Sequence, residues 1–470
     1  MQRAAAVPQG PALGRSLLLA MLALTVTSSI LPTGITSDPP WSGLAVGGVL
    51  VAVTLAALRR QAAREGDKRL YWILVAALVL KLVGAFARLY VADDVYGGVA
   101  DATGYFRRAE EVASRFLAGN YDTGLEFRLG GDWVVLVCGI ILAMMGPTKL
   151  GAFVFFSWLG FWGIFLIYRA FTIAVPQGRH RTYARLLFFL PSMLFWPSSI
   201  GKEALMTFAL GIAALGAARL VSGWLWRGLG GVVVGLWLAA LVRPHVAGIM
   251  AVALAAAFLL RPARDKRGRF APMAKITGLI GLAVISVLLV QRTDTFLEDR
   301  GIETDQGVKT ALNDTVERTD RGGSVYAPSV AESPARAPIA IATVLFRPLL
   351  HEAHNTQARL AAAEGTFLLI LSLVRWRWLM AAFRRMRSQA YLGFALVYTV
   401  LFTLAFSSFS NFGILTRERV QVLPFYFVLL GVPPAAKALK QPRQRPLPAH
   451  HPHREFSSTV PSPAPAGSGR

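Results

Sequence analysis

Cysteine is almost missing from this 470-residue chain: Cys138 stands alone, inside an apolar block. No internal disulfide can form, so any loop outside the cytoplasm must hold itself by packing. Charge is scarce too. Asp, Glu, Lys and Arg together make 16% of the residues, against about 25% in an ordinary soluble domain. Acid is the scarcer sign, with 26 Asp and Glu against 49 Lys and Arg. Such a composition excludes a soluble enzyme, a disordered chain and a disulfide scaffold.

What fills the space is apolar: 54% of the residues are hydrophobic, and the mean hydropathy is +0.49. They come in continuous blocks rather than the strict alternation of barrel strands, so the spanning elements are helices. The fold class expected is all-α, a polytopic bundle. A net charge of +23 would point to nucleic acid in a soluble protein. Here most Lys and Arg fall in short loops between apolar blocks, the positive-inside pattern, and no nucleic-acid partner is expected. Residues 16–31 follow Arg3 and Arg15 but lack a small-x-small cleavage site, so they read as a first span rather than a signal peptide.

The blocks place twelve spans, at 16–32, 42–58, 70–91, 150–170, 186–200, 203–220, 228–243, 246–260, 274–291, 359–375, 389–409 and 420–436, with both termini cytoplasmic. On that side the only acids are Glu65, Asp67, Asp265 and Glu455. The chain then divides into N-terminal spans (1–91), a first long extracytoplasmic loop (92–149), a second set of spans (150–291), a second long loop (292–358), C-terminal spans (359–436) and a basic tail (437–470) rich in Pro, Ser and His, expected to be disordered. Residues 132–146 are apolar but short, about 22 Å as a helix against a core of about 30 Å. Counting them as a span would put Arg179, Arg181 and Arg185 outside, so they read as re-entrant or interfacial.

The first loop predicts an amphipathic interfacial helix, with Ala102, Tyr105, Phe106, Ala109, Val112, Ala113, Phe116 and Leu117 at helical spacing. Three carboxylates precede or open it: Asp93, Asp94 and Asp101. A carboxylate there can cap the helix and meet its dipole. It can also serve as a general base, or hold a metal, in a pocket at the membrane surface. An acidic residue in the first long outer loop, followed by Asp101-Ala102-x-x-Tyr105-x-x-x-Ala109, resembles the GT-C superfamily of integral-membrane glycosyltransferases. The resemblance runs over the order of elements from about 70 to 245. It implies a GT-C-like fold in a bacterial cell membrane, with the active site on the extracytoplasmic face. It also implies a polyprenyl-phosphate sugar donor, a glycan or lipid-linked acceptor, and a catalytic carboxylate, best matched by Asp101, with Asp93 and Asp94 as alternatives.

Other polar groups gather at the same predicted face. Pro191-Ser192-x-x-Phe195-Trp196-x-Ser198-Ser199-x-Gly201-Lys202-Glu203 is similar to a segment of bacterial polysaccharide-assembly membrane proteins. Its prolines and Gly201 break a helix, which in a membrane needs a protein-lined or wet site. Lys202 either snorkels to the interface or contacts a lipid phosphate, with Glu203 orienting it or an acceptor hydroxyl. Arg243 and His245 are interfacial anchors or phosphate contacts. Arg347, His351, Glu352, His354 and Asn355 crowd the end of the second loop, with Glu364 beyond. His-Glu-x-His is not the zincin motif, so a pocket for sugar hydroxyls and a diphosphate fits better, with Arg347 as the bidentate phosphate ligand. Arg417 and Arg419 oppose the positive-inside trend and therefore need anionic partners: Glu418, another carboxylate or a lipid-linked phosphate. Their Arg-x-Arg followed by Pro424 resembles the late arginine motif of polysaccharide polymerases. Lys81 and Arg88 fall inside the third span without an assigned role. No cofactor is called for, and a divalent metal is neither demanded nor excluded.

The expected activity is transfer of a sugar from a polyprenyl-phosphate donor, with Asp101 as base and inversion at the anomeric centre. Two alternatives stay open. One is a polymerase or ligase that moves lipid-linked oligosaccharide en bloc. The other is a transporter, which the lack of a repeat between halves disfavours.

Overall fold

The computed structural model describes residues 40–259, 326, 334–353 and 356–434. The expected spans at 16–32 and 274–291, most of the second long loop, His354, Asn355 and the basic tail lie outside the described residues.

All regular structure among the described residues is helical. The chain runs α1 (Pro40–Glu65), α2 (Lys68–Tyr90), a π-helical turn (Val91–Val95), α3 (Asp101–Leu117), α4 (Gly131–Met145), α5 (Lys149–Ala174), α6 (His180–Phe189), α7 (Pro191–Phe195), α8 (Lys202–Val221), α9 (Leu225–Val242) and α10 (Pro244–Leu259). After the gap come α11 (Ala337–Phe346), α12 (Thr356–Val374), α13 (Trp376–Arg385), α14 (Ala390–Ala405), α15 (Phe412–Arg419) and α16 (Leu423–Leu430).

Six of these are long and apolar enough to cross a bilayer: α1, α2, α5, α8, α9 and α12. A seventh arises if α13 and α14, bent by 117° at their junction, count as one span. Two expected spans do not form as single helices. The block at 186–200 is broken between α6 and α7, because Leu190 takes an extended conformation and Pro191 starts a new helix. Of the described residues in the block at 420–436, eight form a helix, α16. Residues 132–146 do form a helix, α4, of 15 residues, too short to cross alone.

α5 is the central helix, and every residue of its most apolar stretch is buried. It packs on α1, α2 and α8, and α9 packs on α8. Glycine sets the closeness of these contacts. A Cβ at Gly211 of α8 would stand 2.4 Å from the Gly163 carbonyl of α5, and one at Gly216 would stand 2.4 Å from the Val232 amide of α9. Small residues let backbones approach where water cannot drive association. α3 is amphipathic, as its spacing predicts. It buries Ala102, Thr103, Phe106, Ala109, Val112 and Ala113, and this face packs on α4.

The short α7 leaves backbone groups free at both of its ends inside the protein, and buried side chains take them up. Lys81 Nζ of α2 donates to the Met193 carbonyl at 2.7 Å and to Leu194. Glu364 Oε2 of α12 accepts from the Ser192 amide at 2.7 Å. Lys81, which has no role in the sequence reading, is therefore a backbone clamp.

Candidate active site

Helix ends converge at one end of the bundle. Asp101 opens α3, Lys202 and Glu203 open α8, Arg243 closes α9, and α15 carries Arg417, Glu418 and Arg419. Glu203 lies at the centre and is 3% exposed. Its Oε1 accepts from Arg243 Nη2 at 2.9 Å and from Arg417 Nε at 2.6 Å. Arg243 Nη2 also donates to Glu418 Oε1 at 2.6 Å, and Gln421 Nε2 donates to the other Glu418 oxygen at 2.6 Å. Arg417 Nη1 reaches out to Asp101 Oδ2 at 3.0 Å. Three carboxylates and two guanidiniums thus form one chain, from the buried Glu418 to Asp101, whose side chain is 64% exposed.

Asp101 does not cap α3. Ala100 occupies the cap position and no side chain bonds there. The carboxylate sits in the first turn, where the dipole favours its charge, and turns to Arg417. The neighbouring Glu203 charge is the main cause that raises the Arg417 pKa, so the guanidinium stays charged despite burial. Burial raises the Glu418 carboxyl, against the pull of Arg243. Tyr105, one turn along α3, has its phenol pushed up to about 12, by burial first and the Asp101 charge second. It stays a neutral hydroxyl. Its ring edge faces Gly131, where a Cβ would lie 3.3 Å away.

Arg88 joins this group, although sequence reasoning gave it no role. Its guanidinium lies over Phe195 at 4.7 Å and Trp196 at 5.1 Å, and its Nη2 donates to Ser199 Oγ at 3.3 Å. An intramembrane arginine is itself a functional signal. Gln421 is the other member that sequence reasoning missed, since an amide next to an apolar run carries no such signal.

The remaining sequence candidates divide. Glu203 turns to the two arginines, and Lys202 Nζ lies near Gly130, 3.3 Å from where a Cβ would be. His245 packs its ring 5.8 Å from that of Phe406. Asp93 pairs with Lys149 of α5 and Asp94 is exposed, so neither joins the Asp101 chain. Arg419 lies two residues past Arg417 and therefore on the other side of α15. It is wholly buried and donates to the Leu345 and Arg347 carbonyls, both at 3.1 Å, and to Glu364 at 3.3 Å. Arg347 pairs with Glu352 and lies 4.6 Å over the ring of Tyr326, which stacks on Phe412. His351 is exposed. Among the described residues no three His, Cys, Asp or Glu side chains gather in a way that could hold a metal ion.

A cavity of about 200 Å³ lies beside the ion-pair chain. Phe195, Trp196, Ala361 and Phe412 give it apolar walls, and Glu364 and Arg419 form its polar floor. Phe195 and Trp196 stand between this cavity and Arg88. The Arg417–Asp101 pair and the cavity thus occupy neighbouring sides of one structure.

No family model, curated protein or solved structure matches this chain.

Proposed function

We propose that the chain is an integral-membrane glycosyltransferase that takes its sugar from a polyprenyl-phosphate-linked donor, a GT-C-like enzyme in a bacterial cell membrane acting at the extracytoplasmic face. The observation that carries the reading is the Asp101–Arg417 pair. An exposed carboxylate on an interfacial helix is held against a guanidinium that stays charged, at the rim of a buried ion-pair chain. The apolar cavity behind Phe195 and Trp196 supports it, since a carrier with a greasy tail and an anionic head needs both surfaces side by side.

Asp101 is the general base. It accepts the proton of the acceptor hydroxyl as that oxygen attacks the anomeric carbon, and the bond from that carbon to the phosphate oxygen breaks. Attack opposite the leaving group inverts the centre. The phosphate carries away the electron pair, and Arg417, with Arg88 and Lys202 close by, stabilises its growing charge. Glu203 and Arg243 hold Arg417 in place. Arg419 is paired with Glu364 and two backbone carbonyls and Arg347 with Glu352, so they support the floor of the site rather than bind phosphate.

The test is an assay of purified protein in lipid nanodiscs with a radiolabelled polyprenyl-phosphate monosaccharide and a lipid-linked acceptor. Asp101→Asn should lower turnover by about 10²-fold or more, the range of general-base catalysis, and leave donor binding intact. Asp94→Asn should leave turnover unchanged. Full activity of Asp101→Asn, with loss in Asp93→Asn or Asp94→Asn, overturns the assignment. Transfer of whole oligosaccharide blocks in place of single sugars identifies a polymerase or ligase instead.

A further inference from the structure

A second cluster lies at the opposite end of the bundle. α5 runs from Lys149, which pairs with Asp93 near the candidate active site, to Ala174. Its 26 residues span about 39 Å at 1.5 Å per residue. Arg179 follows that far end, and Arg375 lies at the corresponding end of α12. Both guanidiniums gather on one indole: the Cζ of Arg179 is 5.1 Å and that of Arg375 4.8 Å from the centre of the Trp378 ring. Backbone fixes both residues. The Arg179 amide donates to the Gly431 carbonyl at 2.9 Å, and Arg375 Nη1 donates to the Leu430 carbonyl at 3.1 Å, at the end of α16.

Two like charges within about a Debye length repel. Neither has a carboxylate partner among the described residues. The segment from 375 to 389 contributes Arg375, Arg377, Arg384, Arg385 and Arg387 and no acid at all. The same segment presents apolar surface. Trp376, Met380 and Phe383 of α13, one face at helical spacing, are 56%, 44% and 53% exposed. A cationic helix with an exposed apolar stripe lies in a membrane interface. Trp378 lies on the opposite side of α13 from this stripe, so positive charge with no acid to balance it is held on a helix whose other face enters the lipid, which matches the head group of an anionic lipid at the interface. A soluble anion would use only the first feature.

We propose that Arg179 and Arg375, set on Trp378, form a binding site for the phosphate of an anionic glycerophospholipid, at the interface level where the apolar face of α13 anchors that helix. The site is remote from Asp101 and does not depend on the activity of that centre.

The experiment measures lipid retained by the full-length protein after reconstitution into vesicles of equal parts phosphatidylcholine and phosphatidylglycerol, extraction in mild detergent and mass spectrometry. Wild type should retain phosphatidylglycerol over phosphatidylcholine. Arg179→Gln and Arg375→Gln should each lower that preference by about fivefold, the effect of one basic residue near an anionic surface, and the double variant should abolish it. Arg60→Gln, an exposed arginine elsewhere, should keep the preference. Circular dichroism and elution volume select variants that fold, and Trp378→Phe, which keeps a ring under both cations, gives a second measurement with preference retained. Three results overturn the proposal: wild type showing no preference, the double variant keeping the wild-type preference, or inorganic phosphate displacing the retained phosphatidylglycerol at low millimolar concentration, which would mark a site for a soluble anion.

Discussion

At the scale of the residue, the charges in this protein are rationed, and each buried one among the described residues has a partner with a definite consequence. Glu203 accepts from two arginines while almost wholly enclosed. Removing one member of a buried pair leaves an uncompensated charge, which costs about 3–5 kcal/mol. Glu203→Gln should therefore lower the unfolding temperature in detergent sharply. Asp101→Asn, at the exposed end of the same chain, should change stability by no more than about 1 kcal/mol. A large activity loss without a stability loss in the Asp101 variant marks chemistry; parallel losses would mark a structural residue. Individual partners were not legible in the sequence. That Arg417 and Arg419 needed anions was readable from their position against the positive-inside trend. That one would meet Glu203 and Asp101, and the other Glu364, follows from two residues of helical rotation, which only the placed helix reveals.

At the scale of the element, close approach decides which glycines matter. Gly216 lies against the backbone of α9, so Gly216→Ala forces α8 and α9 apart and should cost about 1–3 kcal/mol, the price of overpacking. Gly230, on the exposed side of α9, has nothing within 4 Å of a built Cβ. There Gly230→Ala should raise stability by up to about 1 kcal/mol, through helix propensity. Melting curves of the two variants should shift in opposite directions. The break between α6 and α7 is the element most visible beforehand, since Pro191 sits inside an apolar block. What satisfies α7 was not visible: Glu364, 173 positions from Pro191, accepts the free amide at its start, and Lys81, 110 positions away, donates to carbonyls near its end.

At the scale of the whole molecule, the two ends of the bundle differ in how their charges are balanced. The end with Asp101 neutralises its arginines internally. The far end holds Arg179 and Arg375 on a shared ring, and pairs Arg181 with Asp67 in the turn between α1 and α2. The Arg181 hydrogen bond is the main cause that holds the Asp67 carboxyl below its usual value of 3.8. A depressed carboxylate contributes stability that is complete above its unfolded pKa and is lost as pH falls through the folded one. Asp67→Asn keeps the hydrogen bonds of the α2 cap, because Asn also caps well, and removes only the charge. The melting temperature of wild type should exceed that of the variant by a constant amount from pH 5 to 7, and the gap should close below about pH 4. A gap independent of pH would show that the ion pair adds nothing.

Composition and periodicity were enough to determine that this chain is helical, with several helices long and apolar enough to cross a membrane, that Asp101 opens an amphipathic helix, and where most apolar helices begin. Those are local properties, set by side-chain transfer energy and the 3.6-residue repeat. Which apolar blocks stay whole was decided in three dimensions, because a broken helix survives in a membrane only where distant side chains satisfy its backbone. The union of Asp101, Glu203, Arg243, Arg417 and Glu418 was likewise a matter of tertiary structure: they come from the ends of four helices, and electrostatic partners separated by up to 316 positions leave no pattern in the chain itself.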